Sequence, residues 1–177
     1  HVLRVRAVGR RRALSRVVSV KVAVTLPYPS LAAAAPIAVG RGAGVPAVAG
    51  GAVWVPLTDT GELARVDAAS GAVTAKVRAG VPAGGQFGLL DSTLATDGAV
   101  WNASDAGGTI TRVDAASASP TATVPAGNRP GGLAAGGGAV WSFAFLGSDL
   151  TRVDIATGAV RTLHVDGASA TGIAYGD

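Results

Sequence analysis

The chain has 177 residues, a formal net charge of +4, 26 glycines, and neither cysteine nor methionine. Without cysteine it is no disulfide scaffold, thiol enzyme or thiolate metal site. Hydrophobic residues at 49% against charged residues at 15% exclude a disordered chain, and the length suits one domain or part of one.

The N-terminal segment comes first. Residues 1–34 hold Arg4, Arg6, Arg10, Arg11, Arg12, Arg16 and Lys21 and no acidic residue. From Ala35 onward, 8 basic residues stand against 11 acidic ones. The basicity therefore belongs to a tail, and the remainder is mildly acidic. Nucleic acid is excluded as a partner, because its recognition needs a basic face. Two readings of residues 1–36 stand side by side. The positive stretch, the uncharged run Val22–Ala35 and the small residues Ala32 and Ala34 ahead of Pro36 describe a secretory signal, with Arg11-Arg12 as a twin-arginine remnant. The alternation of Val18, Val20, Val22 and Val24 with Ser19, Lys21 and Ala23 describes a strand or linker instead. The first reading places the protein in the secreted or cell-envelope compartment, the second leaves it cytoplasmic. No run of 18 apolar residues exists, which excludes an integral membrane helix.

The rest of the chain repeats itself. Trp54, Trp101 and Trp141 each follow a Gly-Ala-Val tripeptide. Eleven residues after each Trp comes Arg-Val-Asp: Arg65 and Asp67, Arg112 and Asp114, Arg152 and Asp154. A glycine stands 26 residues after each Trp, at Gly80, Gly127 and Gly167, and the Gly-to-Trp interval is 14 from Gly40 and from Gly127. The period is thus 40 residues, with a seven-residue insertion near Ala83–Ser92. Inside each unit the hydrophobic period is two, as in Glu62-Leu63-Ala64-Arg65-Val66-Asp67, and Gly- or Asp-rich turns divide the runs. The turns Asp67–Gly71 and Asp154–Gly158 end on glycine, where a positive φ is needed. Their middle counterpart, Asp114–Ala118, lacks it and is expected to differ. Pro46 stands where the third unit has Leu133, so the first opening strand is expected to be irregular.

Four short antiparallel strands per 40 residues describe a β-propeller blade. The expectation is an all-β chain of three four-stranded blades, about residues 40–80, 81–127 and 128–167, within a partial propeller spanning 37–177. The first strand of a fourth blade falls at 168–177. Three blades do not close a ring, so the expected partners include the remaining blades of a longer propeller or a second copy. Each Trp is expected to fill the space between adjacent blades.

Gly-Ala-Val-Trp, Arg-Val-Asp-x-x-Thr-Gly and Arg129-Pro130-Gly131-Gly132-Leu133-Ala134 resemble the streptogramin (virginiamycin B) lyase-like and YVTN-type propellers of bacteria. The likeness covers residues 37–177. It implies a propeller and, within the lyase branch, a C–O bond lyase using a His–Glu pair with magnesium. Neither His164, on an outer strand with no carboxylate placed beside it by motif, nor Glu62, the sole glutamate, stands in that context. No catalytic residue, cofactor or metal ligand carries over.

Function in such a fold is expected in loops at one end. The insertion contributes Gln86, Phe87 and Asp91. The turns after each Trp strand contribute Asp59, Asn102, Asp105, Phe143 and Phe145; Phe143 and Phe145 are read either as exposed contacts for a partner or apolar ligand or as aromatics that pack within the blades. Arg129 precedes the third blade. The Arg-Val-Asp copies are read as architecture. The leading reading is a non-catalytic platform for an unidentified protein or small-molecule ligand in an exported bacterial protein. The alternatives are the N-terminal part of a lyase-like enzyme and the sensor propeller of a kinase or regulator.

Overall fold

A computed structural model describes residues 2–5, 18–21, 35–83, 91–145, 147–166 and 170–176. Contacts divide the chain into two compact units, 1–36 and 37–177. In the first, β1 (Val2–Val5) pairs antiparallel with β2 (Val18–Lys21), Val2 opposite Lys21.

The second unit is three four-stranded antiparallel sheets, each built from consecutive strands. Blade 1 is β3 (Ala47–Ala49), β4 (Ala52–Leu57), β5 (Glu62–Asp67) and β6 (Val73–Arg78). Blade 2 is β7 (Ser92–Thr96), β8 (Ala99–Ser104), β9 (Thr109–Asp114) and β10 (Ser119–Pro125). Blade 3 is β11 (Pro130–Gly136), β12 (Ala139–Ala144), β13 (Asp149–Asp154) and β14 (Val160–His164). These are propeller blades in an unclosed ring. Their first strands converge: Val45 bridges Ser92 in parallel, the Thr93 amide donates to the Val45 carbonyl at 3.1 Å, and the Ser92 hydroxyl donates to the Gly131 carbonyl at 3.1 Å.

The period-two pattern decides which face meets the neighbouring blade. Trp54, Leu63, Val77 and Ala79 of blade 1 form one cluster with Val100, Val113 and Ala115 of blade 2. Trp101, Ala103, Ile110 and Ala126 of blade 2 form the next with Val140 and Val153 of blade 3. Trp54 and Trp101 lie between blades, as expected; Trp141, on the outer face of blade 3, is only half-buried. Burying each such side chain stabilises by about 1.5–3 kcal/mol.

The Arg-Val-Asp repeat has a structural cause in each copy. Register places the arginine opposite the tryptophan, and the guanidinium carbons of Arg65, Arg112 and Arg152 stand 5.9, 5.8 and 5.7 Å from the ring centroids of Trp54, Trp101 and Trp141. Arg65 and Arg112 also donate to Thr74 and Thr121 on the next strand, at 2.8 and 3.0 Å. Each aspartate closes a turn: Asp67, Asp114 and Asp154 accept from the amide and hydroxyl of Ser70, Ser117 and Thr157 at 2.7–2.9 Å. Hydrogen bonds to the charged form hold all three carboxyls below the usual aspartate range.

Three local expectations meet the structure differently. The middle turn is not different: Ala118 takes the left-handed conformation itself, φ 53°, where Gly71 and Gly158 have φ 71°. The Asp114 hydrogen bonds impose the turn, and alanine accepts a strained backbone. The first opening strand is indeed cut short, to three residues after Pro46. Residues 171–176 carry no strand pairing, yet they lie where a fourth blade would begin. Tyr175 sits directly over Gly136, and Ile173 is near Gly132.

Candidate functional site

One end of the propeller gathers the turns after β4, β8 and β12 and the approaches to β7 and β11. There the sequence departs most from its repeat. In blades 1 and 3 the amide four residues after the Trp donates to the carbonyl twelve residues before it: Thr58 to Gly42 and Phe145 to Arg129, each at 2.9 Å. Blade 2 uses a side chain instead. The Asp105 amide donates to the Asp91 carboxylate at 2.8 Å.

Asp105 in turn grips the next blade. Arg129 donates to both its oxygens, Nε to Oδ1 and Nη2 to Oδ2, each at 2.8 Å. Asp105 and Asp91 are both buried, 4% exposed. A two-pronged guanidinium–carboxylate bond of this kind is strong and directional, and it raises the Arg129 pKa further. Arg129 itself has φ 54°, and its guanidinium lies 5.5 Å from the ring centroid of Phe145. Burial, reinforced by the charge of Asp105, pushes the Asp91 carboxyl up to about 6 despite the hydrogen bond from the Asp105 amide.

Of the residues singled out in the sequence, the structure thus brings together Asp91, Asp105, Arg129 and Phe145. Asp59 stands apart on the blade 1 turn, exposed, 3.6 Å from Arg41. Asn102 is buried and donates to the Ala79 carbonyl of blade 1 at 3.1 Å, so it belongs to the seam between blades. For Phe143 the packing reading holds: it is 3% exposed, its ring against Gly131, where an added Cβ would come within 2.5 Å of it. Gly131 and Gly132 make room for the ring, and two-residue alternation puts it on the same face of the strand as Trp141. Phe145 is half-buried beneath Arg129. Gln86 and Phe87 lie outside the described residues.

Sequence reading missed the tie between Asp105 and Arg129. Its signal was position: a charge where the equivalent blade 1 sites hold Thr58 and Gly42. It also missed a pair of carboxylates beside His164. Asp149, directly opposite in the ladder, meets Nδ1 at 2.8 Å, and Asp166 meets Nε2 at 3.3 Å. They take opposite sides of the ring, on an exposed outer strand.

The His–Glu–magnesium set of the lyase branch does not fit these residues. Glu62 opens β5 in blade 1 and His164 closes β14 in blade 3. Among the described residues no three His, Asp or Glu side chains group to hold a metal. Nor is any described helix long and apolar enough to cross a membrane.

The blades and their shared seams define a β-propeller. Solved structures similar to it are propellers too. A streptogramin B lyase aligns over 97% of this chain and 51% of its own, at 16% identity and TM-score 0.60. Hydrazine synthase of Kuenenia stuttgartiensis aligns over 82% and 41%, at 12% identity and TM-score 0.61. The Pan2 WD40 domain of Neurospora crassa aligns over 76% and 41%, at 12% identity and TM-score 0.62. The likeness is one of fold, and this chain spans about half or less of each of those chains. No family model matches the chain, and no curated protein sequence does.

Proposed function

We propose that the loop end of this propeller is a non-catalytic binding platform, for a protein or small-molecule ligand, in an exported bacterial protein. One observation supports the reading above others: Asp91, Asp105, Arg129 and Phe145 converge where the repeat is broken. Repeated positions serve architecture, whereas departures confined to one end of a rigid scaffold are where propellers carry function. Asp105, its amide held by Asp91, grips the Arg129 guanidinium 5.5 Å from the centre of the Phe145 ring, and the arginine side chain keeps 30% of its surface open to solvent. A planar cation on an aromatic ring suits ligands carrying carboxylate or aromatic groups.

Export rests on the charge pattern of residues 1–36. A mature N-terminus beginning near Ala35 in the secreted protein supports it; an intact N-terminus on a cytoplasmic product overturns it. The platform is tested with a photo-crosslinking residue at position 145 and a control at position 70, on the opposite end. Adducts at 145 that vanish in Arg129→Ala support the reading. Equal labelling at both ends, or none at 145, sinks it. Turnover of a streptogramin B substrate by this chain with magnesium present favours the lyase reading instead.

A further inference from the structure

The loop end carries one hydrogen bond in three versions, and a single version is made with an ionisable group. In blade 1 the Thr58 amide donates to the Gly42 carbonyl, and in blade 3 the Phe145 amide donates to the Arg129 carbonyl, both at 2.9 Å. Backbone carbonyls carry no titratable proton, so these two bonds do not respond to pH. In blade 2 the Asp105 amide donates to the Asp91 carboxylate at 2.8 Å. The Asp91 backbone is held separately, its carbonyl accepting from the Val45 amide at 3.3 Å. The side chain is therefore the part that can turn.

The place that the Asp91 carboxyl occupies disfavours charge. Asp91 and Asp105 are both 4% exposed. An ionised Asp91 loses its hydration there and faces a second carboxylate. Among the described residues, the approach to β3 brings Gly44 and Val45 to Asp91, and neither is ionisable. The turn after β8 brings Asp105. The approach to β11 brings Arg129, whose two-pronged bond goes to Asp105. Residues 84–90, just before Asp91 in the sequence, include no ionisable side chain. Burial and the Asp105 charge outweigh the amide bond and raise the Asp91 carboxyl to about 6.

We propose that Asp91 is a proton-operated latch at the loop end of blade 2: seated against the Asp105 amide while it carries a proton, turned out to water when it ionises. Turning out releases the Asp105 amide and loosens the turn that holds Arg129 beside Phe145. The latch thus regulates the loop-end platform, and in that respect it rests on the binding reading above. Linkage fixes the sign. The seated carboxyl titrates near 6 and one in water near 3.8. The seated state is therefore fully favoured below about pH 4 and loses ground as pH rises through 6, by about tenfold between pH 5 and pH 8.

Amide hydrogen exchange of the full chain, read residue by residue by NMR and corrected for the intrinsic pH dependence of exchange, tests this. Protection of the Asp105 amide is expected to fall about tenfold from pH 5 to pH 8, while protection of Thr58, in the equivalent bond of blade 1, stays level. Asp91→Asn keeps an oxygen acceptor in the seat without the charge, so protection at Asp105 becomes independent of pH. The wild-type comparison of Asp105 with Thr58 decides the matter even where the variant does not fold. Level protection at Asp105, an equal fall at Thr58, or the same fall in a folded Asp91→Asn chain each overturns the proposal. The measurement involves no ligand, so the latch stands or falls by exchange at Asp105 and the platform by crosslinking at position 145.

Discussion

Trp101 and Trp141 are the same residue in the same motif, each carrying an arginine 5.7–5.8 Å from its ring centroid. Trp101 is 2% exposed, while Trp141 is half-buried. The local sequence dictates the strand, the register and the arginine stack in both. What differs is the neighbour: Val140 and Val153 of a whole blade over Trp101, and one unpaired segment over Trp141. A repeat motif thus prepares a face, and the next repeat completes it.

The largest expected effect breaks this comparison directly. Trp101→Ala leaves a cavity in a closed seam and costs about 3–5 kcal/mol, whereas Trp141→Ala costs about 1–2 kcal/mol. Denaturant unfolding of both variants reads the difference, and equal losses would show that the two faces are equally covered.

The seam between blades 2 and 3 is also tied at the loop end, where pH probes it. Asp91 titrates near 6 in the fold against an ordinary 3.8. The folded state therefore holds this proton more tightly than the unfolded chain. The stabilisation is fully present below about pH 4 and is lost as pH rises through 6, a change of about 3 kcal/mol. Asp91→Asn flattens the unfolding free energy across that window. Asp67, Asp114 and Asp154 work in the opposite sense, with pKa values below 3.8, so their contribution disappears only as pH falls under about 4.

Arg129→Ala comes next. It leaves the buried Asp105 carboxylate without its two-pronged partner, and a loss of about 2–3 kcal/mol is expected, given the partial exposure of the arginine. The surface pair Arg41–Asp59 offers the contrast, since its removal changes stability by less than about 1 kcal/mol. An effect smaller than that of Arg129→Ala lies in the turns. Ala118→Gly relieves a left-handed alanine and stabilises by about 1 kcal/mol, and Gly71→Ala in the equivalent turn does the reverse. Thermal unfolding distinguishes the two signs.

Much of the fold was legible because it is written three times. The Trp-to-Arg spacing held at eleven residues, the two-residue alternation and the glycine turns led to three antiparallel blades with Trp54 and Trp101 between them. The candidate site was legible only in part. Asp105 drew notice as part of a variable turn and Arg129 as the residue ahead of the third blade, but 24 residues separate them and no local pattern joins them. Phe143 and Asn102 looked like loop residues because they follow the Trp strand core. Gly131 and Ala79, brought in by neighbouring strands and blades, turned them into packing and seam contacts.

Sequence alone therefore determined what depends on spacing along the chain: strand period, turn positions, repeat length, and the opposition of Trp and Arg across a hairpin. These follow from backbone geometry and interactions within a few residues. The tertiary structure decided what depends on chain brought in from far away: that Asp91 is buried beside Asp105, that Arg129 ties two blades, that Phe143 is covered, and that one tryptophan face of three is left half-open. Burial and electrostatic environment are properties of the neighbours, and in a stacked array the neighbour of each blade lies about 40 residues away.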